Sequence, residues 1–210
     1  VNKLVILARL AFGSWLDPST IERRPPTVAG DGRPGVTGVS AGELKAAAAV
    51  GLTLKLIART RRGDDGSIVA DVVPTAVPAD GPLGRTGGVR NRVEIDADPV
   101  GRVGVDGPGA GGPATSSAVL GDLIAIARGA TSTWAGLPPA IAPAGTAASD
   151  TGAPRRRFFA SSLPEQLIRD QLEIETARAG GFVTAAATLD ELRAGLAAAG
   201  VEATLYPVDE

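Results

Sequence analysis

Apolar residues recur at helical spacing from Lys3 to Phe12 (KLVILARLAF). Leu4, Leu7, Ala8 and Ala11 share one face and Gly13 is a stop signal, so the spacing predicts a helix. From Asp17 to Gly38 the chain is rich in Pro, Gly and Arg, which predicts a surface loop. Ser40 then precedes the alanine-rich run Ala41 to Val50. Glu43 stands at the third helical position, the signature of a capping box, and Gly51 closes the helix. Four strand-like runs follow: Thr53 to Thr60, Ile68 to Val77, Asn91 to Asp96 and Gly101 to Val105. Asp64-Asp65-Gly66 is a hairpin-type turn between the first two, and Asp98-Pro99 interrupts the last two. Strands joined this tightly pair antiparallel. A helix from Thr115 to Arg128, with Thr115 and Ser116 near its N-cap, would cover one face of their sheet.

Thr131 to Pro154 is rich in Ala, Gly, Pro, Thr and Ser and reads as a linker. Beyond it the pattern predicts a strand at Arg157 to Ala160, a helix at Pro164 to Ala179 and a strand at Phe182 to Ala187. A helix at Leu189 to Ala199, capped by Thr188, and a strand at Val201 to Val208 complete the order. The expected fold is α+β: a mostly antiparallel sheet covered by helices over residues 1–130, a linker at 131–154, and a small α+β appendage at 155–210. An appendage of about 55 residues is marginal unless it packs on the main body or on a partner.

Composition narrows the chemistry. The chain is 44% hydrophobic but only 3% aromatic, so its core must be built from Val, Leu, Ile and Ala. A net charge of −2 gives no long-range field to attract nucleic acid or anionic lipid, and Arg155-Arg156-Arg157 reads as a solvated local cluster. The absence of both Cys and His excludes disulfides, thiolate nucleophiles, Ser-His-Asp triads and most zinc sites, so no metal is expected. Chemistry must use Lys, Asp, Glu, Ser, Thr or a cofactor. No apolar run reaches the roughly 18 residues of a membrane span, and a cytoplasmic protein is the expectation. Methionine is missing even at position 1, which suggests a piece whose beginning lies upstream.

One stretch points to a ligand. Gly107, Gly109 and Gly112 match G-x-G-x-x-G between a predicted strand and a predicted helix, the setting that brings backbone N–H groups and a helix N-terminus up to a phosphate or nicotinamide. The ordinary dinucleotide fold also needs an acidic residue about 20 positions on and a returning strand. Neither is present, and no acidic residue occurs between Leu123 and Ser149. The turn therefore reads as a close approach to a cofactor held mainly by something else, or as a Gly-rich connection that only packs tightly.

Over residues 2–129 the chain resembles the homoserine dehydrogenases in the segment after their nucleotide-binding half. The resemblance rests on Lys3-Leu4-Val5-Ile6-Leu7-Ala8 through Ala11-Phe12-Gly13, on Gly51-Leu52-Thr53-Leu54-Lys55-Leu56-Ile57-Ala58, and on Val73-Pro74 through Pro78 with Pro82-Leu83. The most specific part is Gly107-Pro108-Gly109-Ala110-Gly111 with Ala114-Thr115 and Ser117-Ala118-Val119. It implies oxidoreduction between L-homoserine and L-aspartate 4-semialdehyde, with NAD or NADP as cofactor. Lys3 matches the family lysine that shuttles the hydroxyl proton, and Gly109, Ala110 and Thr115 match the turn and helix start that lie against the cofactor. Lys55 receives no catalytic role, and capping accounts for Glu43.

Family members also carry an N-terminal Rossmann domain and several substrate-contacting acidic residues that precede the position of Lys3; none is in this sequence. The resemblance therefore implies an incomplete site without turnover of its own, with a homodimer formed through the sheet. A non-catalytic oligomerisation or binding module derived from the same fold is the alternative. Bacterial members often end in a ferredoxin-like ACT regulatory domain. Residues 155–210 show part of that alternation, but Ser162-Leu163-Pro164-Glu165 stands where its ligand-binding turn would be and the pattern predicts one strand fewer, which suggests a degenerate or structural tail.

Overall fold

The computed structural model describes residues 1–27, 32–132, 134, 136–141, 155–164 and 172–209. Contacts group the chain into two units, Val1–Ala79 with Pro139–Glu210, and Asp80–Pro138. These are not the divisions expected at 130 and 155. Phe159, Val183, Tyr206 and Val208, all from the expected appendage, share one core with Ala46, Ala47, Leu52 and Ala76. A sheet this small lacks enough apolar surface to stand alone, and the earlier residues provide the rest.

In the first unit α1 (Asn2–Phe12) ends at Gly13, which adopts the left-handed conformation and donates its N–H to the Arg9 carbonyl. The buried face of α1 is Leu4, Val5 and Ala8 with Arg9, whereas Leu7 and Ala11, expected inside, face out. Its partners are Leu16, Ile21, Ile68, Ala70 and Val72. The segment read as a surface loop thus contributes Ile21 to the core, and short 3-10 turns form at Pro18–Thr20 and Gly35–Gly38. Helix α2 (Ala41–Ala49) begins with the expected capping box: Ser40 Oγ accepts from the Glu43 N–H and a Glu43 carboxylate oxygen accepts from the Ser40 N–H. Strands β1 (Leu52–Arg62) and β2 (Ile68–Pro78) form a long antiparallel hairpin, closed at Asp64-Asp65-Gly66 as expected. There the Ser67 side chain, together with the Ser67 N–H that donates to Asp65 Oδ1, holds the Asp65 carboxyl below the usual carboxylate range.

The C-terminal part of this unit is an antiparallel sheet of β5 (Phe158–Ser161), β6 (Ile174–Arg178), β7 (Gly181–Thr184) and β8 (Tyr206–Pro207), in the order β6-β7-β5-β8. Residues 174–178 were expected in a helix running from Pro164 to Ala179. The N-terminal half of that expected helix, from Glu165, lies mostly outside the described residues, and the other half is a strand. Helix formers such as Ala177 and Arg178 are overridden by a two-residue turn, Ala179-Gly180, with φ of 46° and 81°, the geometry that joins twisted strands of a hairpin. Helix α5 (Leu189–Ala198) packs Leu189, Leu192 and Leu196 on Phe158, Ala160 and Leu205, and carries the expected cap at Thr188, which forms a capping box with Glu191.

The basic triplet is not simply solvated. Arg155 pairs with Glu191 at 2.6 Å and Arg157 with Glu175 at 3.2 Å. Arg156 is half-buried within electrostatic reach of Arg59, Asp71 and Asp209, and burial and the Arg59 charge lower its basicity. Arg59 holds Asp209 at 2.6 Å, whereas its contact with Asp71 is 3.6 Å, an ion pair without hydrogen-bond geometry. Burial raises the Asp71 carboxyl above its ordinary range despite Arg59.

The second unit contains α3 (Pro82–Arg85), the antiparallel pair β3 (Arg90–Ala97) and β4 (Gly101–Pro108), and α4 (Gly112–Ala127). The four predicted strands are all present, as two separate hairpins rather than one sheet. Helix α4 starts three residues before the expected Thr115. Gly111 is its N-cap, no side chain caps it, and Pro113 sits in its first turn, where a missing N–H costs nothing. It does not cover a sheet face within the described residues, because none of its residues is buried.

Two outcomes follow for the first unit. A Cβ at Gly181 would collide with the Ala46 carbonyl oxygen and lie 3.3 Å from the Phe159 ring, so Gly181→Ala should destabilise by about 1–3 kcal/mol, read from urea unfolding. Because the folded-state affinity of Asp71 for its proton is raised, its contribution is present below the ordinary carboxylate range and is lost as pH rises through the raised value. Asp71→Asn should therefore be more stable than the parent at pH 7, and the difference should shrink on acidification; equal unfolding midpoints at pH 7 would contradict this.

Candidate active site

Lys3 lies in the first turn of α1 with its side chain exposed, on the same side as Ile6, Leu7 and Leu10. The i, i+3, i+4, i+7 spacing makes this a continuous stripe opposite the buried face, so an amine stands at the end of an uncovered apolar ridge. The far end of the helix is fixed firmly. Arg62 donates to the Phe12 carbonyl at 2.8 Å and lies 5.3 Å from the centre of the Phe12 ring, and Arg9 donates to the Gly13 carbonyl at 2.8 Å. Such bonds satisfy C-terminal carbonyls that the helix cannot pair itself. The lysine is thus carried on a rigid element.

The glycine turn belongs to the second unit. Strand β4 ends at Pro108, and the Gly109 N–H donates to the Val89 carbonyl at 2.7 Å, tying the turn to the residue before β3. Gly109, Ala110, Gly111 and Thr115 are all exposed. The Thr115 N–H donates to the Gly111 carbonyl, the first rung of the α4 ladder, so the N–H groups of Gly112 and Ala114 have no intrahelical acceptor. This is a bare backbone ledge ending in a helix N-terminus, which fits the anionic linkage and ribose edge of a dinucleotide.

The three motif glycines differ in what the chain asks of them. At Gly107 and Gly112 a Cβ would meet nothing within 4 Å and φ is not in the left-handed region. At Gly109 a Cβ would collide with the Asn91 side chain, which is flexible. The residue that demands glycine is Gly111, outside the motif, with φ 101° and ψ 156°. Sequence reasoning missed it because the spacing template skips that position. The signal available was its place immediately before the Gly112-Pro113 start of α4.

The structure places Lys3 in one unit and Gly109, Ala110 and Thr115 together in the other. Charged residues near the turn are paired among themselves on one face of the β3–β4 ribbon: Arg90 with Asp106, Arg92 with Glu94 at 2.8 Å and Arg102 with Asp96 at 2.9 Å. Hydrogen bonds from Arg90 and Arg102 hold the Asp106 and Asp96 carboxyls below their ordinary range. These acids are therefore ionised salt-bridge partners rather than proton-transfer groups.

Gly111→Ala should fray the first turn of α4 at a cost of about 1–3 kcal/mol, while Gly112→Ala should be nearly neutral. Amide exchange at Thr115 checks this: only the first substitution should speed it.

The model of the homoserine dehydrogenase family matches residues 1–124. The chain is 36% identical over 131 residues to the homoserine dehydrogenase of Corynebacterium glutamicum and 32% identical over 126 residues to that of Lactococcus lactis. Each match covers 60% of this chain and 27% of the relative, so the chain spans about a quarter of the length of the curated relatives it matches. Among solved structures, the homoserine dehydrogenase of Thiobacillus denitrificans aligns with a TM-score of 0.69 at 20% identity, over 100% of this chain and 52% of that one. The enzyme from S. aureus aligns with a TM-score of 0.67 at 23% identity, over 99% and 52%. The structural likeness extends the shared α+β fold to the C-terminal sheet, and the sequence match holds both Lys3 and the glycine turn: the chain belongs to the homoserine dehydrogenase family.

Proposed function

We propose that this chain supplies the proton-handling and cofactor-facing part of an oxidoreductase that interconverts L-homoserine and L-aspartate 4-semialdehyde in threonine and methionine biosynthesis. The observation that carries this reading is that one continuous family match contains both the exposed Lys3 and the Gly109-Ala110-Gly111 ledge. In the oxidation direction the Lys3 amine accepts the hydroxyl proton of homoserine while the carbinol carbon loses hydride and becomes the aldehyde. NAD or NADP, when bound, takes that hydride. Gly109 and Ala110 would hold the cofactor through their backbone, and Thr115 with the N-terminal turn of α4 would complete that contact.

The same reading leaves the isolated chain without turnover, because among the described residues no acidic side chain forms an ion pair with Lys3. It works in the cytoplasm as a homodimer joined through the sheet. The β3–β4 ribbon suits that role: its charged face is internally neutralised, while Val93, Ile95, Val103 and Val105 on the other face are exposed. Two strands alone are marginal in water, and stacking two such faces about a twofold axis buries both. The C-terminal sheet acts as a structural brace, and no effector is assigned to it.

A chimera tests the chemistry. With residues 1–130 of this chain replacing the matching stretch of the C. glutamicum enzyme, homoserine-dependent reduction of the nicotinamide should be restored. Lys3→Ala in that chimera should lower kcat about 10²–10⁴-fold with little change in KM. A folded chimera that binds cofactor but turns nothing over would favour the non-catalytic module instead.

A further inference from the structure

Residues 204–209 form the seam between the C-terminal sheet and the first hairpin. On one side Tyr206 and Pro207 pair with β5, and the Val208 N–H donates to the Arg157 carbonyl at 3.0 Å. On the other side the Asp209 N–H donates to the Ala76 carbonyl at 3.0 Å, and Val208 bridges to Ala76 in parallel. Alternation along an extended chain gives the seam two unlike faces. Tyr206 and Val208 join the apolar core with Ala46, Ala47 and Ala76. Asp209 lies on the opposite face, among charges: Arg59 of β1, Asp71 directly across from it on β2, and Arg156 just before β5.

Bonding within this group is uneven. Arg59 Nη1 donates to Asp209 Oδ1 at 2.6 Å, whereas Arg59 Nε, Arg59 Nη2 and Asp71 Oδ1 are buried without a hydrogen-bond partner among the described residues. Nε and Nη2 form the edge with which a guanidinium grips a carboxylate through two parallel bonds. Asp71 Oδ1 stops 3.6 Å from Nη2, so that edge is unused although a carboxyl group stands in front of it. Leaving buried atoms unpaired costs far more for a carboxylate than for a neutral carboxyl. Burial is the main influence that raises the Asp71 carboxyl; Arg59 and Arg156 oppose it and Asp209 adds to it. The other charges nearby are engaged elsewhere or more distant. Glu22 pairs its backbone beside Asp71, but its carboxylate accepts from the Arg23 and Arg24 N–H groups, and Arg61 acts on Arg156.

We infer that the Arg59–Asp209 tie is a latch on this seam, operated by the proton on Asp71. While Asp71 is neutral, Arg59 serves Asp209 and the segment is held to β2. Once charged, Asp71 takes the free edge of Arg59, draws the guanidinium from Asp209 and repels the Asp209 carboxylate, and residues 208–209 loosen from Ala76. The apolar face of the seam carries no proton and keeps the C-terminal sheet attached, so the opening is local. With no His or Cys in the chain, no side chain of ordinary affinity titrates between about pH 5 and pH 8, and a response there belongs to a displaced group such as Asp71. The latch is independent of the functional reading above.

Amide exchange of the intact chain, followed by NMR from about pH 4 to about pH 8 with intrinsic rates divided out, tests this. The folded state holds the Asp71 proton more tightly than the unfolded chain does, so the seam is closed at low pH and loosens as pH rises through the raised value. Protection of the Asp209 N–H should fall there by up to about tenfold per pH unit, as release of one proton dictates, while the Val208 N–H stays protected. The carboxyl carbon shift of Asp71 should titrate with the same midpoint. Asp71→Asn should keep the Asp209 amide protected throughout, and Asp209→Asn should leave the amide at 209 weakly protected at every pH. Protection of Asp209 that ignores pH, equal loss at Val208 and Asp209, an Asp71→Asn variant that still opens, or a midpoint apart from that of Asp71 would each overturn the inference.

Discussion

Strand β2 is the constraint on which the first unit depends. Its first half turns Ile68, Ala70 and Val72 toward α1, Leu16 and Ile21, and its second half is buried throughout from Val72 to Val77. Ala76 enters the core formed by α2 and the C-terminal sheet, and the Asp209 N–H donates to its carbonyl at 3.0 Å. One strand therefore belongs to two hydrophobic cores. The helix that carries Lys3 and the sheet that ends the chain are both packed against it, so neither can shift without disturbing side chains the other needs. The Tyr206 hydroxyl, donating to Glu43 at 2.7 Å, adds a polar tie between β8 and the capping box of α2. Burial and the Glu43 carboxylate make that hydroxyl harder to ionise, which keeps it a donor.

Local signals in the sequence were legible where the interaction that makes them is local. The capping box at Ser40, the cap at Thr188, the stop at Gly13 and the Asp64-Asp65-Gly66 hairpin all involve residues within four positions of each other, and each forms as read. What depends on distant partners was not legible. Leu7 looks as suited to the core as Val5, and only the placement of Ile68 and Ile21 decides between them. Ile174–Arg178 has helix-forming neighbours, but pairing with β7 outweighs propensity. The appendage looked separable because the composition of 131–154 suggests a spacer, whereas its sheet shares a core with α2. The site showed the same division. Residue identities came from the family pattern, while the exposed ridge beside Lys3 follows from which face of α1 is buried.

Each unit, taken by itself, carries exposed apolar surface next to a residue of the family pattern. On α1 the ridge of Ile6, Leu7 and Leu10 flanks the amine; on α4 the aliphatic stripe follows the glycine turn. An amine used to take a proton works best where water is excluded, and a backbone ledge binds a cofactor best where its dipoles are not already solvated.

The glycine turn shows how a motif and a fold can demand different residues. If G-x-G-x-x-G served only this chain's backbone, Gly107 and Gly112 would need positive φ or a crowded Cβ position, and they have neither. Gly111 has the backbone demand and lies outside the template. Open space lies above Gly107 and Gly112, so among the described residues no atom of this chain excludes a side chain at either position. Within the chain, the backbone demand falls on Gly111 alone among these four glycines.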